Sequence, residues 1–127
     1  MQGYDLDDTL AKVRWQSDLA RAFASAPVLY KPTQDFIVIT ARQHDTAAER
    51  SATRTWLKDN QPNFKRIYYV NGDSEQAKAK AKARVIKNQD LTSYTDNNRD
   101  ILKIIKETVS SSVTLYFMHA DGTKTIY

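Results

Sequence analysis

Phe36-Ile37-Val38-Ile39-Thr40 is the stretch that most limits what this chain can become. Its four aromatic and β-branched residues run without polar alternation, the form of a strand covered on both faces in a parallel sheet. Such a sheet needs helices between its strands, and the flanking sequence supplies them. Residues 46–59 read as a helix, with Thr46 and Glu49 at capping-box spacing and Ala48, Ala52 and Trp56 recurring at i, i+4, i+8. Ile67-Tyr68-Tyr69-Val70 forms a second apolar run, closed by the turn residues Asn71-Gly72-Asp73. Ser74 to about Asn88 is helical by propensity, although its Ala-Lys alternation leaves Val85 and Ile86 as the clear anchors.

The order continues to the end of the chain. Thr92 to Asp96 is a polar strand, and Ile101, Leu102, Ile104, Ile105 and Val109 then mark one helical stripe. Val113 to Met118 reads as a strand, Asp121-Gly122 as a hairpin turn and Thr123 to Tyr127 as a short antiparallel return. Met1-Gln2-Gly3-Tyr4 is a short first strand, and a helix follows at Asp18 to Ala24 with Leu19 and Phe23 inward. The expected fold is a Rossmann-like three-layer α/β/α sandwich: a mainly parallel sheet with right-handed crossovers and a C-terminal β-hairpin.

The 127 residues suit one domain, and 41% apolar with 27% charged residues is the balance of a globular protein. No apolar run reaches the roughly 20 residues of a membrane span, and no signal-peptide core is present. A cytoplasmic setting is the default expectation. Without cysteine there is no disulfide, thiolate metal site or cysteine nucleophile. Net charge is +4, and Lys78, Lys80, Lys82, Arg84 and Lys87 cluster within one predicted helix. That cluster reads as a solvated face or as a face for anionic partners, nucleic acid included.

In parallel α/β sheets the site lies beyond the carboxyl ends of the strands. There the chain places Asp5 and Asp7 after the first strand, Thr40 at the end of the second and Asp96 at the end of the fourth. Converging carboxylates can hold magnesium, which takes oxygen ligands. Two acids one residue apart can divide phosphoryl transfer between a nucleophile and a general acid/base. A hydroxyl and a lysine are needed to offset the spreading negative charge.

Asp5-Leu6-Asp7-Asp8-Thr9 after a strand, Thr40 closing a strand, a lysine before the fourth strand and Asp96-x-x-x-Asp100 together resemble the four signatures of the haloacid-dehalogenase (HAD) superfamily. The resemblance spans Tyr4 to about Phe117. It implies a magnesium-dependent phosphatase with Asp5 as nucleophile and metal ligand. Asp7 would be general acid/base, its backbone carbonyl also on the metal. Thr40 would bond a phosphoryl oxygen, and Lys82 would balance charge, with Lys78 and Lys80 as alternatives. Asp96 would bind the metal with Asp100 in support. Thr9 and Arg42 would contact the substrate. Asn97 stands where many relatives carry a second acid.

Between Asp8 and the second strand there is room for a flap and one helix, and the interval from Thr40 to Lys82 holds no cap domain. An open site suits a large phosphorylated substrate. Thr9-Leu10-Ala11-Lys12, Thr40-Ala41-Arg42 and Thr53-Arg54-x-Trp56 are similar to the phosphatase part of phage-type polynucleotide kinase-phosphatases. This implies a phosphorylated nucleotide or nucleic-acid end as substrate. Glu75 and Asn98 depart from that pattern, occupying positions where arginine is found. Acid phosphatases and nucleotidases share the core. The rival class is a catalytically silent HAD-fold module that binds nucleic acid or a protein, and a phosphotransferase remains a third option. His44 reads as a loop histidine without a chemical role or as one that lines the site mouth, and His119 and Arg54 read as residues without a chemical role. Trp15 and Tyr30 either stack on a base or pack the flap on the sheet, and Trp56, Tyr68 and Tyr69 read as core.

Overall fold

A computed structural model describes residues 1–127. Its strands are β1 (Gln2–Tyr4), β2 (Phe36–Thr40), β3 (Phe64–Tyr69), β4 (Ser93–Asp96), β5 (Thr114–Met118) and β6 (Lys124–Ile126). The helices are α1 (Leu19–Ala24), α2 (Ala47–Asn60), α3 (Glu75–Asn88) and α4 (Arg99–Thr108). One six-stranded sheet runs β3-β2-β1-β4-β5-β6, parallel throughout except for the antiparallel β5–β6 hairpin. This is the expected α/β architecture. The chain order reverses at β1, whose neighbours are β2 and β4. No helix is long and apolar enough to cross a membrane.

The unbroken apolar run of β2 explains the two cores. Successive strand residues point to opposite faces. Phe36 and Val38 enter one apolar cluster with Tyr4, Phe23, Trp56 and Leu57, beneath α1 and α2. Ile37 and Ile39 enter the other with Ala83, Ile86, Leu102 and Ile105, beneath α3 and α4. All five β2 residues are buried. β1 needs only three residues because it is flanked on both sides, and Asp5 N–H extends its ladder to the Thr95 carbonyl (2.9 Å).

Thr46 caps its helix as expected, and Asp18, Ser74 and Asn98 cap the others, each accepting N–H groups of the first turn. The α2 box closes one residue early, with Asp45 N–H rather than Thr46 N–H donating to Glu49. The α2 face is also rotated from expectation. Ala48 is exposed, and Thr53, Trp56 and Leu57 are buried, because the two largest apolar groups set which side meets the sheet.

Two further expectations change. β3 begins at Phe64 rather than Ile67 and stops before Val70, and Tyr69 is 45% exposed instead of core. β3 is the sheet edge, where charged Lys65 and Arg66 are tolerated. The Ala-Lys alternation of α3 conceals a true helical face: Ala79, Lys82, Ala83 and Ile86, at i, i+3, i+4, i+7, are all buried. Small alanines let α3 approach closely. Gly72 shares in this, since a Cβ there would stand 2.7 Å from the Lys78 backbone nitrogen.

Polar β4 has a physical reason. Tyr94 faces the α3–α4 core, while the opposite face is covered by tyrosines instead of a helix. There Lys124 donates to the Tyr4 hydroxyl (2.9 Å) and lies over the rings of Tyr4, Tyr30 and Tyr116. Tyr30 stacks on Tyr4 with centroids 5.7 Å apart, so it packs the flap.

Leu102 is fully buried between α4 and the sheet. Leu102→Ala is expected to lower stability by about 2–5 kcal/mol, read from the urea midpoint at unchanged slope.

Candidate active site

The segment after β1 winds tightly. The Leu6 carbonyl accepts N–H groups of Thr9, Leu10 and Ala11 (3.3, 3.0 and 3.1 Å). Leu6 and Leu10 are buried beneath it, and Asp8 takes a left-handed backbone (φ 58°), which aspartate tolerates better than most residues. This turn holds Asp5 and Asp7 at the carboxyl end of the sheet. A cavity of about 430 Å³ opens there, lined by Asp5, Asp7, Thr40, Arg42, Lys82 and Asp96 among others.

Lys82 lies on the cavity floor. Its Nζ donates to Asp5 Oδ1 (3.1 Å) and Asp96 Oδ2 (2.7 Å), and it is 2% exposed. The helical period decides among the three lysines. Lys82 shares the inward face with Ala79 and Ala83, Lys78 reaches the cavity one turn earlier, and Lys80 is exposed. Tyr94 hydroxyl donates to Asp96 Oδ2 (2.6 Å), and Asn98 N–H donates to Asp96 Oδ1 (3.0 Å). With its amide nitrogen turned inward, Asn97 donates to Asp96 Oδ1 (3.3 Å) and Asp5 Oδ2 (3.1 Å).

The electrostatics follow from two buried carboxylates sharing one ammonium. Burial first, and then the Asp96 charge, push the Asp5 carboxyl up to about 7 against the pull of Lys82. For Lys82, burial disfavours the ammonium, but Asp5 and then Asp96 outweigh it and its pKa rises. Tyr94 is likewise pushed up, by burial and then by the Asp96 and Asp5 charges. The cluster is therefore short of positive charge.

Asp7 and Arg42 form a second unit. Arg42 Nε donates to both Asp7 oxygens (3.1 and 3.3 Å), and its Nη2 also contacts Asp7 Oδ1. Arg42 Nη1 donates to Thr53 Oγ1 (2.8 Å), and the guanidinium lies 3.8 Å from the Phe23 ring centroid. His44 Nε2 also meets Thr53 Oγ1 (2.8 Å), and burial, then Arg42, lower the His44 pKa. Thr40 is buried beside them, its Oγ1 accepting Arg42 N–H (3.0 Å), which leaves its hydroxyl proton to donate.

The structure thus brings Asp5, Asp7, Thr40, Arg42, Lys82 and Asp96 to one cavity. Two expected members stand apart. Thr9 is fully buried and donates to Asp5 Oδ2 (3.3 Å), so it supports the aspartate from below rather than meeting a substrate. Asp100 is exposed in the first turn of α4, where its N–H is capped by Asn98, and it does not line the cavity. No three acidic or histidine side chains meet at metal-binding spacing. A cation would rely on Asp5, Asp96 and the Asp7 carbonyl, which accepts no backbone hydrogen bond. All three are oxygen donors, the type that a hard divalent cation takes.

Sequence reasoning assigned no site role to Tyr94 or Thr53, and noted Asn97 only as standing where many relatives carry a second acid. Tyr94 was detectable from strand periodicity, since residues two apart on β4 share a face. Thr53 entered only through the Thr53-Arg54-x-Trp56 resemblance, because nothing local to α2 announces a partner on the loop after β2. Glu75 and Asn98, the two departures from the resemblance, bond to each other (3.1 Å) at the cavity rim.

Comparison of the chain with protein-family models, with curated proteins and with solved structures finds no match. What fold and site define is an α/β protein with a mostly parallel six-stranded sheet and a buried acid–lysine–acid cluster at the carboxyl ends of its strands.

Removing one partner of a buried ion pair leaves an uncompensated charge. Lys82→Met is expected to cost about 3–5 kcal/mol of stability. Lys80→Met should stay within about 0.5 kcal/mol of wild type. Chemical denaturation of both variants separates the two lysines.

Proposed function

We propose that this chain is a magnesium-dependent phosphomonoesterase of HAD type, working through an aspartyl-phosphate on Asp5 and acting on nucleotide or polynucleotide phosphate ends. The observation that carries this reading is the Asp5–Lys82–Asp96 cluster on the cavity floor, with Thr40 and Asp7 beside it. Aspartyl nucleophiles need a carboxylate held still and partly exposed. Asp5 fits, one oxygen fixed by Lys82 and its side chain 11% exposed.

In this reading an Asp5 carboxylate oxygen attacks phosphorus in line, and the bond from phosphorus to the leaving oxygen breaks. Asp7 gives that oxygen a proton. It then takes one from the water that attacks the aspartyl-phosphate, releasing inorganic phosphate and restoring Asp5. Thr40 donates its hydroxyl to a phosphoryl oxygen, and Lys82 offsets the charge on Asp5. A phosphate entering the cavity competes with Asp7 for the Arg42 guanidinium, whose fork fits phosphate as well as carboxylate. Once Arg42 turns to phosphate, Asp7 is free to exchange protons. Magnesium, held by Asp5, Asp96 and the Asp7 carbonyl, would neutralise phosphoryl charge when bound.

A second reading rests on α3, whose Lys80, Arg84 and Lys87 are exposed and form no ion pairs. It is the silent module, binding nucleic acid through that face without turnover.

Hydrolysis of an aryl phosphate is expected to require magnesium, to stop on its chelation and to vanish in Asp5→Asn. Asp7→Asn should lower kcat by about 10²–10⁴-fold. Full activity in Asp5→Asn, or no magnesium-dependent turnover, overturns the enzyme reading; salt-sensitive oligonucleotide binding in its place supports the second. Arg42→Lys loses the forked contact and should raise KM for phosphomonoesters while the fold, read by circular dichroism, is kept.

A further inference from the structure

The cavity has an apolar wall that the phosphoryl chemistry leaves unused. Trp15, Leu19 and Phe23 line it next to the acidic floor. Trp15 sits on the loop before α1 and is 57% exposed. The chain's other tryptophan, Trp56, is 4% exposed, with its indole N–H donating to the Ala26 carbonyl (2.6 Å). One indole is therefore in the core and the other is presented to the site. Trp15 stands edge-on to Phe23, centroids 6.0 Å apart and planes at 89°. Phe23 is itself fixed by the guanidinium of Arg42 over its ring. The right-angled corner is thus anchored to Arg42, which lines the same cavity.

Resting on the phosphatase reading above, we propose that Trp15 is the stacking platform for the nucleobase of the nucleotide whose phosphate is bound at Asp5. Phe23 is 2% exposed and backs the corner, while the exposed indole offers the surface on which a flat ring can stack. Charge adds to the match, since Lys78 lines the same cavity and forms no ion pair, leaving its ammonium for the phosphate. A small alkyl phosphate has no ring to lay on Trp15. The base belongs either to a free nucleotide or to the last residue of a strand, and both present the same ring to Trp15.

The test compares glycerol 2-phosphate, nucleoside 3′- and 5′-monophosphates and oligonucleotides with matching phosphorylated ends, all with magnesium. In Trp15→Ala the preference for base-bearing substrates over glycerol 2-phosphate, as a ratio of kcat/KM, is expected to fall about 10- to 100-fold through KM. Trp15→Phe should keep most of it. Loss with mononucleotides assigns the base to a free nucleotide, and loss confined to oligonucleotides assigns it to a strand end. An unchanged ratio in Trp15→Ala overturns the proposal. A binding readout separates this from failure of the enzyme reading. Indole fluorescence quenched by nucleotide should persist in Trp56→Phe and disappear in Trp15→Phe. If no phosphomonoester is turned over yet that quenching is seen, the platform stands and the phosphatase does not. Quenching that survives Trp15→Phe overturns the platform.

Discussion

The burial of one ammonium between two carboxylates is what the rest of this structure is arranged around. Lys82 comes from α3, Asp5 from the end of β1 and Asp96 from the end of β4. A lysine that deep is tolerated only with its charge paired, and each carboxylate needs more donors than one lysine supplies. Thr9, Tyr94, Asn97 and the Asn98 backbone fill those places. The alanines of α3 follow from the same demand. Lys82 reaches the floor because Ala79 and Ala83, three positions before it and one after on the same face, let the helix lie close.

Even so the charges do not balance. Asp5 is held well above the usual carboxylate range by burial first and then by the charge of Asp96, which shares Lys82 with it. The second ion pair, Arg42 with Asp7, closes that half of the site on itself and extends through Thr53 to His44. The histidine read as idle in the sequence thus belongs to the support of Arg42. In the proposed mechanism, a site that retains excess negative charge and a guanidinium able to exchange partners is set up for a cation and a phosphate together.

Much of the fold was legible in local pattern. Phe36 to Thr40 announced a doubly buried strand, Ile101 to Val109 an amphipathic helix, and Asp18, Thr46 and Ser74 the starts of helices. These signals depend on neighbours in sequence, so they survive without tertiary information. Tyr69 misled because an apolar run looks alike at the centre and at the edge of a sheet, and only strand order distinguishes them. Ala48 misled because alanine fits either side of a helix, while Trp56 and Leu57 chose the face.

The site divides along the same line. Strand-end positions by themselves determined that Asp5, Asp7, Thr40 and Asp96 would gather, since a parallel sheet brings its carboxyl ends together. Sequence could not say which of three lysines turns inward, because helix rotation is fixed by what α3 packs on. Nor could it show that Thr9 lies beneath Asp5, that Asp100 faces away or that Trp15 stands free at the cavity wall. Those outcomes rest on distances between segments far apart in the chain, which are set only when the two cores close on either side of the sheet.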